Sequence, residues 1–234
     1  MTLVKICGIT NLDDALAAVD AGADNLGFNF YPRSPRYIEP ADARLIIDRL
    51  PAGVISVGVF VDEDLEKIER IAATSGVSVL QLHGDESPEY CKTLKRKGHT
   101  LIKVFNTGEG FTLEKILGYD DKQWIMLDAG GGSARGGTGQ LSDWSQAQQA
   151  KLLFPITFLA GGLSPENVGA AIDEVEPFGV DACSSLEHAP GKKDHAKVRD
   201  FVAAVRKARP HPPNYAGKRG RGIFGMLQRW RILE

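Results

Sequence analysis

Short apolar runs alternate with segments of helical periodicity along this chain, and the alternation repeats eight times. Runs this apolar are typical of strands that are covered on both faces, whereas the intervening segments place apolar residues three and four positions apart. Strands are predicted at Val4–Cys7, Asn25–Phe30, Ile55–Phe60, Val79–Leu82, Leu101–Phe105, Trp124–Leu127, Thr157–Ala160 and Val180–Cys183. Helices are predicted near Leu12–Ala21, Ala41–Leu50, Leu65–Ala73, Glu89–Lys97, Thr112–Leu117, Trp144–Leu153, Glu166–Ile172 and His195–Lys207.

Eight strand-then-helix units indicate an α/β protein with a parallel sheet covered by helices. The 234 residues suffice for one closed (β/α)8 TIM barrel, predicted as a single domain over residues 1–208. A doubly wound open sheet is the structural rival. Its Gly-x-Gly-x-x-Gly turn after the first strand is absent, because Cys7-Gly8-Ile9-Thr10 offers one glycine.

Three helix starts carry recognisable caps. Asn11 is followed three residues later by Asp14, and Ser87 and Ser164 each precede a proline. We therefore expect the first, fourth and seventh helices to begin just after these residues.

The segment 209–234 differs in character from the rest of the chain. Prolines break the last helix, and basic residues then interleave with apolar and aromatic ones. This extension could dock on a partner, a membrane surface or RNA. Because it lacks a long continuous amphipathic period, we favour a poorly ordered extension, or a short helix on the outside of the barrel.

Composition narrows the class of protein. The net charge of −2 gives no general reason to expect nucleic acid or a membrane as partner. Three cysteines without a Cys-x-x-Cys pair argue against a disulfide framework and a structural zinc site. The N-terminus enters a strand directly, without the pattern of a secretion signal. These features predict a cytoplasmic protein that acts on a small molecule.

Candidate chemistry lies where strands end, because the active sites of α/β barrels are built from the carboxyl ends of their strands. Cys7, His83 and Asp128 occupy such positions. A thiolate can accept a proton, and a carboxyl group can donate or accept one. His83 could act as an acid, a base or a hydrogen-bond donor, or be a satisfied structural residue. No second histidine or carboxylate is placed to make a metal site with it.

Side chains alternate along a strand, so Lys5 must point inward if Cys7 does. A buried lysine needs a counter-charge, and Asp181 on the eighth strand would neighbour it in a closed barrel. This pair could be structural or part of the site.

Glycine-rich loops suggest a phosphate site. Gly161-Gly162 follows the seventh strand and Ser184-Ser185 follows the eighth, where barrel enzymes often bind phosphate. The loop after the sixth strand holds six glycines within residues 130–139 and is typical of a functional lid or a disordered insertion. As a lid it would close over a ligand and exclude water. Arg36 follows a stiff loop and could hold a carboxylate with its planar fork, or be a solvated surface residue.

Over about residues 3–207 the chain resembles the phosphoribosylanthranilate isomerase family of tryptophan biosynthesis. The motifs that carry the resemblance are Lys5-Ile6-Cys7-Gly8, Gln81-Leu82-His83-Gly84, Leu127-Asp128, Gly136-Gly137-Thr138-Gly139 and Gly161-Gly162-Leu163. The first and fourth of these motifs are especially diagnostic.

The resemblance implies a cofactor-free Amadori rearrangement of N-(5-phosphoribosyl)anthranilate. It makes Asp128 the general acid that opens the ribose ring, and Cys7 the base that removes the proton at C2. Arg36 would hold the anthranilate carboxylate. The phosphate would sit on backbone amides of Gly139, Gly162, Ser184 and Ser185. Asp128 must then carry a proton near neutral pH, which burial could achieve.

The chain departs from the family where it reads Asp181-Ala182-Cys183-Ser184-Ser185-Leu186-Glu187 instead of Asp-Val-Ser-Ser-Gly-Val-Glu. Ser185 replaces a glycine. If Ser185 begins a helical turn, its hydroxyl could hydrogen-bond to phosphate. Cys183 is interpreted as a packing substitution, and Cys91 as a core residue.

Two other functions stay open. The histidine-pathway isomerase runs the same rearrangement on a related aminoaldose, although that family is expected to carry aspartate where this chain has Cys7; an isomerase with dual specificity for both substrates stays open with it. A phosphate-binding pseudoenzyme that recruits partners through residues 209–234 is the second. Either a monomer or a homodimer is compatible with the sequence.

Overall fold

The barrel is closed and formed by eight parallel strands in chain order. The computed structural model describes residues 1–107, 110–120, 122–128 and 144–208. The strands are β1 Leu3–Ile6, β2 Asn25–Asn29, β3 Ile55–Phe60, β4 Val79–Leu82, β5 Thr100–Asn106, β6 Trp124–Asp128, β7 Thr157–Leu159 and β8 Gly179–Ala182. The helices are α1 Leu12–Ala21, α2 Pro40–Ile47, α3 Leu65–Ser75, α4 Pro88–Arg96, α5 Glu114–Leu117, α6 Trp144–Leu153, α7 Val168–Val175 and α8 His195–Lys207.

Closure depends on β1, which pairs with β2 on one side and with β8 on the other. In the second pairing Lys5 lies opposite Asp181, and Ile6 lies opposite Ala182. The predicted TIM barrel is confirmed. The open doubly wound sheet is excluded, because its edge strands would not meet in this way.

Capping side chains fix where two of the three capped helices begin. The caps at Asn11 and Ser87 are confirmed: each side chain accepts a hydrogen bond from a backbone N–H three residues later, as predicted. The predicted start after Ser164 is wrong, since α7 begins at Val168. The side-chain oxygen of Asn167 accepts from the backbone N–H of Ser164, at 2.8 Å, and holds the intervening residues in a turn.

The barrel interior is filled at the end where the strands begin. Trp124, Met126 and Phe158 pack there in an apolar cluster that is separate from the layer between strands and helices. Gly179 makes room for the Phe158 ring, because a Cβ at this position would lie 2.4 Å from Cε1 of that ring. The interior can therefore open to a ligand only at the carboxyl ends of the strands.

An unpredicted hairpin follows β8. After a short 3₁₀ turn at Ser184–Leu186, the strands β9 (Glu187–Ala189) and β10 (Lys192–Lys193) pair antiparallel. Gly191 takes a φ of 74°, a conformation that favours glycine, within the turn between them. The hairpin returns the chain toward the barrel mouth before α8 begins.

Two predicted features lie outside the described residues: the lid loop after β6 and the extension 209–234. Among the helices that the structure does describe, none combines the length and the apolar character needed to cross a bilayer.

Candidate active site

The end of β1 places Cys7 at the rim of the barrel mouth. The backbone N–H of Cys7 donates to the carbonyl of Ala182 at 2.9 Å, which ties it to the end of β8. Gly8 follows with a φ of 78°. A Cβ at Gly8 would lie 2.8 Å from Cδ of Arg36 and 2.9 Å from Sγ of Cys183. Only glycine therefore lets these two side chains approach the end of β1 so closely.

Cys7 lies in an environment that favours its thiolate. A hydrogen bond from the Cys183 thiol lowers the pKa of Cys7, and the positive charges of Lys5 and Lys193 lower it further, against the opposing effect of burial. The balance leaves the pKa of Cys7 well below its usual range. A thiolate is the form that can accept a proton.

Lys5 supplies the buried positive charge beneath Cys7. Its side chain is fully buried, and Nζ donates to Oδ1 of Asp181 at 2.8 Å. Burial opposes the charged form, but Asp181 and the Cys7 thiolate together raise the pKa of Lys5. The counter-charge that barrel closure led us to expect is therefore present. Asp181 also lines the cavity at the mouth.

Asp128 ends β6 and is buried, with 5% of its surface exposed. Its Oδ1 has no hydrogen-bond partner among the described residues. Burial and the negative charge of Cys7, opposed by the positive charge of Lys5, together raise the pKa of Asp128 to about 7. This carboxyl group therefore keeps its proton to a higher pH than an ordinary aspartate does.

His83 follows β4 and faces Asp128, as its position at a strand end suggested. The distance from Nε2 of His83 to Oδ2 of Asp128 is 3.5 Å. The ring is buried, with 9% of the residue exposed. His83 therefore lies beside the carboxyl group of Asp128, on the β4 side of the mouth.

Arg36 reaches the mouth from the loop after β2, but one edge of its guanidinium is already used. Nε and Nη2 donate to both carboxylate oxygens of Glu187, at 2.8 to 3.1 Å. Within the described part of the chain no hydrogen bond engages Nη1. A further carboxylate would therefore have to bind along the edge formed by Nη1 and Nη2. From the sequence we expected the whole guanidinium to be available.

The loops after β7 and β8 form a cavity with Asp128. Gly162, Ser184 and Ser185 line it. Gly161 and Gly162 take φ values of 85° and 67°, so the chain turns there in a conformation that glycine adopts without strain. Three of the four residues predicted to bind phosphate thus share one cavity, while the fourth, Gly139, lies outside the described residues.

Ser185 lies in the short 3₁₀ turn, as the helical alternative predicted, and not in a left-handed conformation. Its hydroxyl donates to the carbonyl of Leu163 at 2.5 Å. That proton is consequently not available to a phosphate, and only the backbone N–H of Ser185 can serve as the expected donor.

Sequence reasoning assigned no role to two charged residues of the β9–β10 hairpin. Nζ of Lys193 donates to Glu187 at 2.8 Å and to the carbonyl of Cys183 at 3.3 Å, and Lys193 is buried. Glu187 is thereby shared between Lys193 and Arg36. The Pro190-Gly191 pair was the one local signal that a tight turn would bring these charges back to the mouth.

The chemistry available here is proton transfer in two directions. The environment of Cys7 favours its thiolate and that of Asp128 favours its protonated carboxyl group, and both residues lie at the same end of the barrel. Among the described residues, no group of three or more His, Cys, Asp and Glu side chains could hold a metal ion.

Comparisons with known proteins agree on one family. A family model described as N-(5'phosphoribosyl)anthranilate (PRA) isomerase matches residues 4–204. The N-(5'-phosphoribosyl)anthranilate isomerase of Desulforudis audaxviator is 49% identical over 209 residues, 89% of this chain and 100% of that protein. The one from Syntrophus aciditrophicus is 46% identical over 207 residues, 88% of each chain.

Solved structures give the same result. The crystal structure of phosphoribosyl anthranilate isomerase from Thermotoga maritima superposes with a TM-score of 0.81 at 43% identity, covering 88% of this chain and 99% of that one. A phosphoribosyl anthranilate isomerase in complex with reduced 1-(o-carboxyphenylamino)-1-deoxyribulose 5-phosphate matches with a TM-score of 0.77 at 42% identity and the same coverage.

Proposed function

The chain belongs to the N-(5'-phosphoribosyl)anthranilate isomerase family, and from this we propose that Cys7 and Asp128 carry out its reaction as base and acid. The enzyme is an isomerase of tryptophan biosynthesis that converts N-(5-phosphoribosyl)anthranilate into 1-(2-carboxyphenylamino)-1-deoxyribulose 5-phosphate. The rearrangement moves hydrogen within one molecule.

The first step opens the ribose ring. Protonated Asp128 donates its proton to the ring oxygen, while the anthranilate nitrogen uses its lone pair to form the Schiff base at C1 as the C1–O bond breaks. A carboxyl group with a pKa of about 7 still holds a proton near neutral pH, whereas an ordinary aspartate does not. Its oxygen without a partner, Oδ1, is the atom that would meet the substrate.

The second step removes the proton at C2. The Cys7 thiolate accepts this proton, and the electrons of the C–H bond flow into the Schiff base to give the enolamine. Lys5 and the Cys183 thiol favour the thiolate before substrate arrives. The enolamine then tautomerises to the ketone product. Binding one substrate between the ends of β1 and β6 brings both proton transfers to adjacent atoms.

The two ends of the substrate fit the two sides of the mouth. Arg36 binds the anthranilate carboxylate with the edge that Glu187 does not occupy. The phosphate binds to backbone amides of Gly162, Ser184 and Ser185, in the cavity that also contains Asp128. Gly139, whose amide completes the predicted set, lies outside the described residues.

One observation carries the assignment of roles: the environment shifts the pKa values of Cys7 and Asp128 in opposite directions, each toward the form that its role needs. Two titratable groups separated in this way, at one cavity, are the pattern of an acid and base pair.

The direct test follows loss of N-(5-phosphoribosyl)anthranilate fluorescence with the purified full chain, in the presence of a metal chelator and without added nucleotide. We expect turnover of this substrate. A parallel assay with the aminoaldose of the histidine pathway separates the two isomerase activities. Absence of turnover on the anthranilate substrate, or turnover on the histidine-pathway substrate alone, would contradict the proposal.

The remaining proposals concern the setting of the enzyme. We propose that it acts in the cytoplasm on a small phosphorylated substrate, without nucleic acid or membrane as partner, as a monomer or a homodimer. A relative from Thermotoga maritima is described as dimeric, with monomers generated from it. Analytical ultracentrifugation of the full chain and of a chain ending at residue 208 measures the oligomeric state and tests the domain boundary.

A further inference from the structure

Two of the three cysteines meet at neighbouring strand ends. Cys7 directly follows β1 and Cys183 directly follows β8, one position beyond the register pair of Ile6 and Ala182. The hydrogen bond from the Cys7 N–H to the Ala182 carbonyl, at 2.9 Å, continues the strand pairing to this point. Paired strands lie about 4.8 Å apart, within the Cα separation of roughly 4.4 to 6.8 Å that a disulfide spans.

The two side chains also interact with each other. This interaction lowers the pKa of Cys7 and raises the pKa of Cys183. Sγ of Cys183 lies so close to the chain at Gly8 that a Cβ there would be 2.9 Å away. Cys91 is buried on α4, and burial raises its pKa to about 11. The chain therefore offers one close thiol pair and one shielded cysteine.

We propose that Cys7 and Cys183 form an oxidative modification site, at which a peroxide converts the two thiols into an intramolecular disulfide. In the first step the Cys7 thiolate attacks one oxygen of hydrogen peroxide. The O–O bond breaks, an S–O bond forms, and the leaving hydroxide takes up a proton to become water. In the second step the Cys183 sulfur displaces the hydroxyl group of the Cys7 sulfenic acid, and the Cys183 proton leaves with it as a second water. Two thiols lose two electrons, and the peroxide gains them.

The surroundings give the two cysteines different duties. Cys7 is the attacking sulfur, because it has the greater thiolate character. Cys183 is partly exposed and lines the cavity at the mouth, so a small oxidant that enters the site reaches the pair. The Cys7 thiolate and burial hold the pKa of Cys183 well above its usual range, and the charge of Lys193, whose Nζ lies 3.9 Å from Sγ of Cys183, opposes them. Once Cys7 is a sulfenic acid its negative charge is gone, and Lys193 then favours ionisation of Cys183 as the second nucleophile.

The modification would remove the thiolate that the proposed reaction uses, so loss of turnover rests on the proposed function, whereas formation of the bond does not. It would also protect Cys7, because a sulfenic acid captured as a disulfide cannot advance to the sulfinic acid. Thiols such as glutathione would restore both cysteines by exchange.

The test exposes the full chain to hydrogen peroxide and maps its peptides by mass spectrometry without reduction. Three proteins are compared: the unchanged chain, Cys183→Ser, and Cys91→Ala as the matched control. In the unchanged chain and in Cys91→Ala we expect the peptides of Cys7 and Cys183 to be joined, with the mass of two hydrogens lost. Turnover should fall by at least about tenfold and return with dithiothreitol. In Cys183→Ser we expect Cys7 to reach the sulfinic acid, and turnover should not return.

The proposal is overturned if the joined peptides are absent and Cys7 is overoxidised equally in the unchanged chain and in Cys183→Ser. It is also overturned if dithiothreitol restores Cys183→Ser as fully as the unchanged chain. Joined peptides with full turnover would support the modification site and contradict the proposed role of Cys7 as base. Circular dichroism of each variant before oxidation establishes that all three are folded.

Discussion

Replacing Asp128 by asparagine should remove a loss of stability that the folded protein undergoes between about pH 4 and 7, and it should also lower turnover strongly. Asparagine has nearly the same shape as aspartate but cannot ionise. In the folded protein the pKa of Asp128 is about 7, against about 3.9 for an ordinary aspartate. One pKa unit corresponds to about 1.4 kcal/mol, so ionising this buried carboxyl group costs the folded state roughly 4 kcal/mol.

The sign follows from proton binding. Below about pH 4 both the folded and the unfolded chain hold the proton, and the group does not change stability with pH. Between about pH 4 and 7 the folded chain keeps the proton that the unfolded chain loses, so the free energy of unfolding falls by about 1.4 kcal/mol per pH unit. Above about pH 7 both states are ionised and the full penalty remains. Asp128→Asn lacks this decline.

The assay is urea denaturation of the substrate-free protein at several pH values from 4 to 8, for the unchanged chain and for Asp128→Asn. We expect the stability difference between them to move in favour of the variant by up to roughly 4 kcal/mol across this range. Asp200→Asn, at an exposed position of α8, is the control and should show no such trend. If the two curves stay parallel, Asp128 has an ordinary pKa and the account of it as an acid fails.

Three other substitutions test the surroundings of the site. Lys5→Met should slow alkylation of Cys7 by iodoacetamide at neutral pH and lower the free energy of unfolding by about 3 to 5 kcal/mol; an unchanged alkylation rate would contradict the proposed electrostatics. Glu187→Gln should loosen Arg36 and raise KM about tenfold with kcat nearly unchanged, and an unaltered KM would refute a positioning role. Gly179→Ala should lower the free energy of unfolding by roughly 1 to 3 kcal/mol, because its Cβ would overlap the ring on the barrel floor. Equal urea midpoints would argue against that overlap.

The barrel could be predicted because each strand is apolar along its length and each is followed by a helix. That repetition leaves few architectures, and closure then fixes which residues are neighbours. The ion pair between Lys5 and Asp181 follows directly, since β1 and β8 meet only in a closed barrel. The sequence indicated that Asp128 must hold a proton to act as an acid. The burial that raises its pKa is a property of the fold and could not be predicted from the sequence.

The contacts that sequence reasoning missed depend on the paths of loops. Arg36 and Glu187 are 151 residues apart, and their pairing requires the hairpin after β8 to fold back over the mouth. No periodicity encodes that return. The start of α7 was missed for a local reason. The side chain of Asn167 accepts a hydrogen bond from the backbone N–H of Ser164, so the chain forms a turn there before the helix begins. Both contacts that were not predicted involve polar side chains. Their hydrogen-bond partners depend on the path of the loops and not on the spacing of apolar residues in the sequence.

The most direct test of the central claim compares turnover with binding in Cys7→Ala and Asp128→Asn. Both variants should bind the reduced form of 1-(o-carboxyphenylamino)-1-deoxyribulose 5-phosphate about as tightly as the unchanged chain, because Arg36 and the phosphate loops are retained. Each should lose turnover of N-(5-phosphoribosyl)anthranilate by about 10²-fold or more, the usual effect of removing a general acid or base. Turnover near that of the unchanged chain in either folded variant would contradict the account.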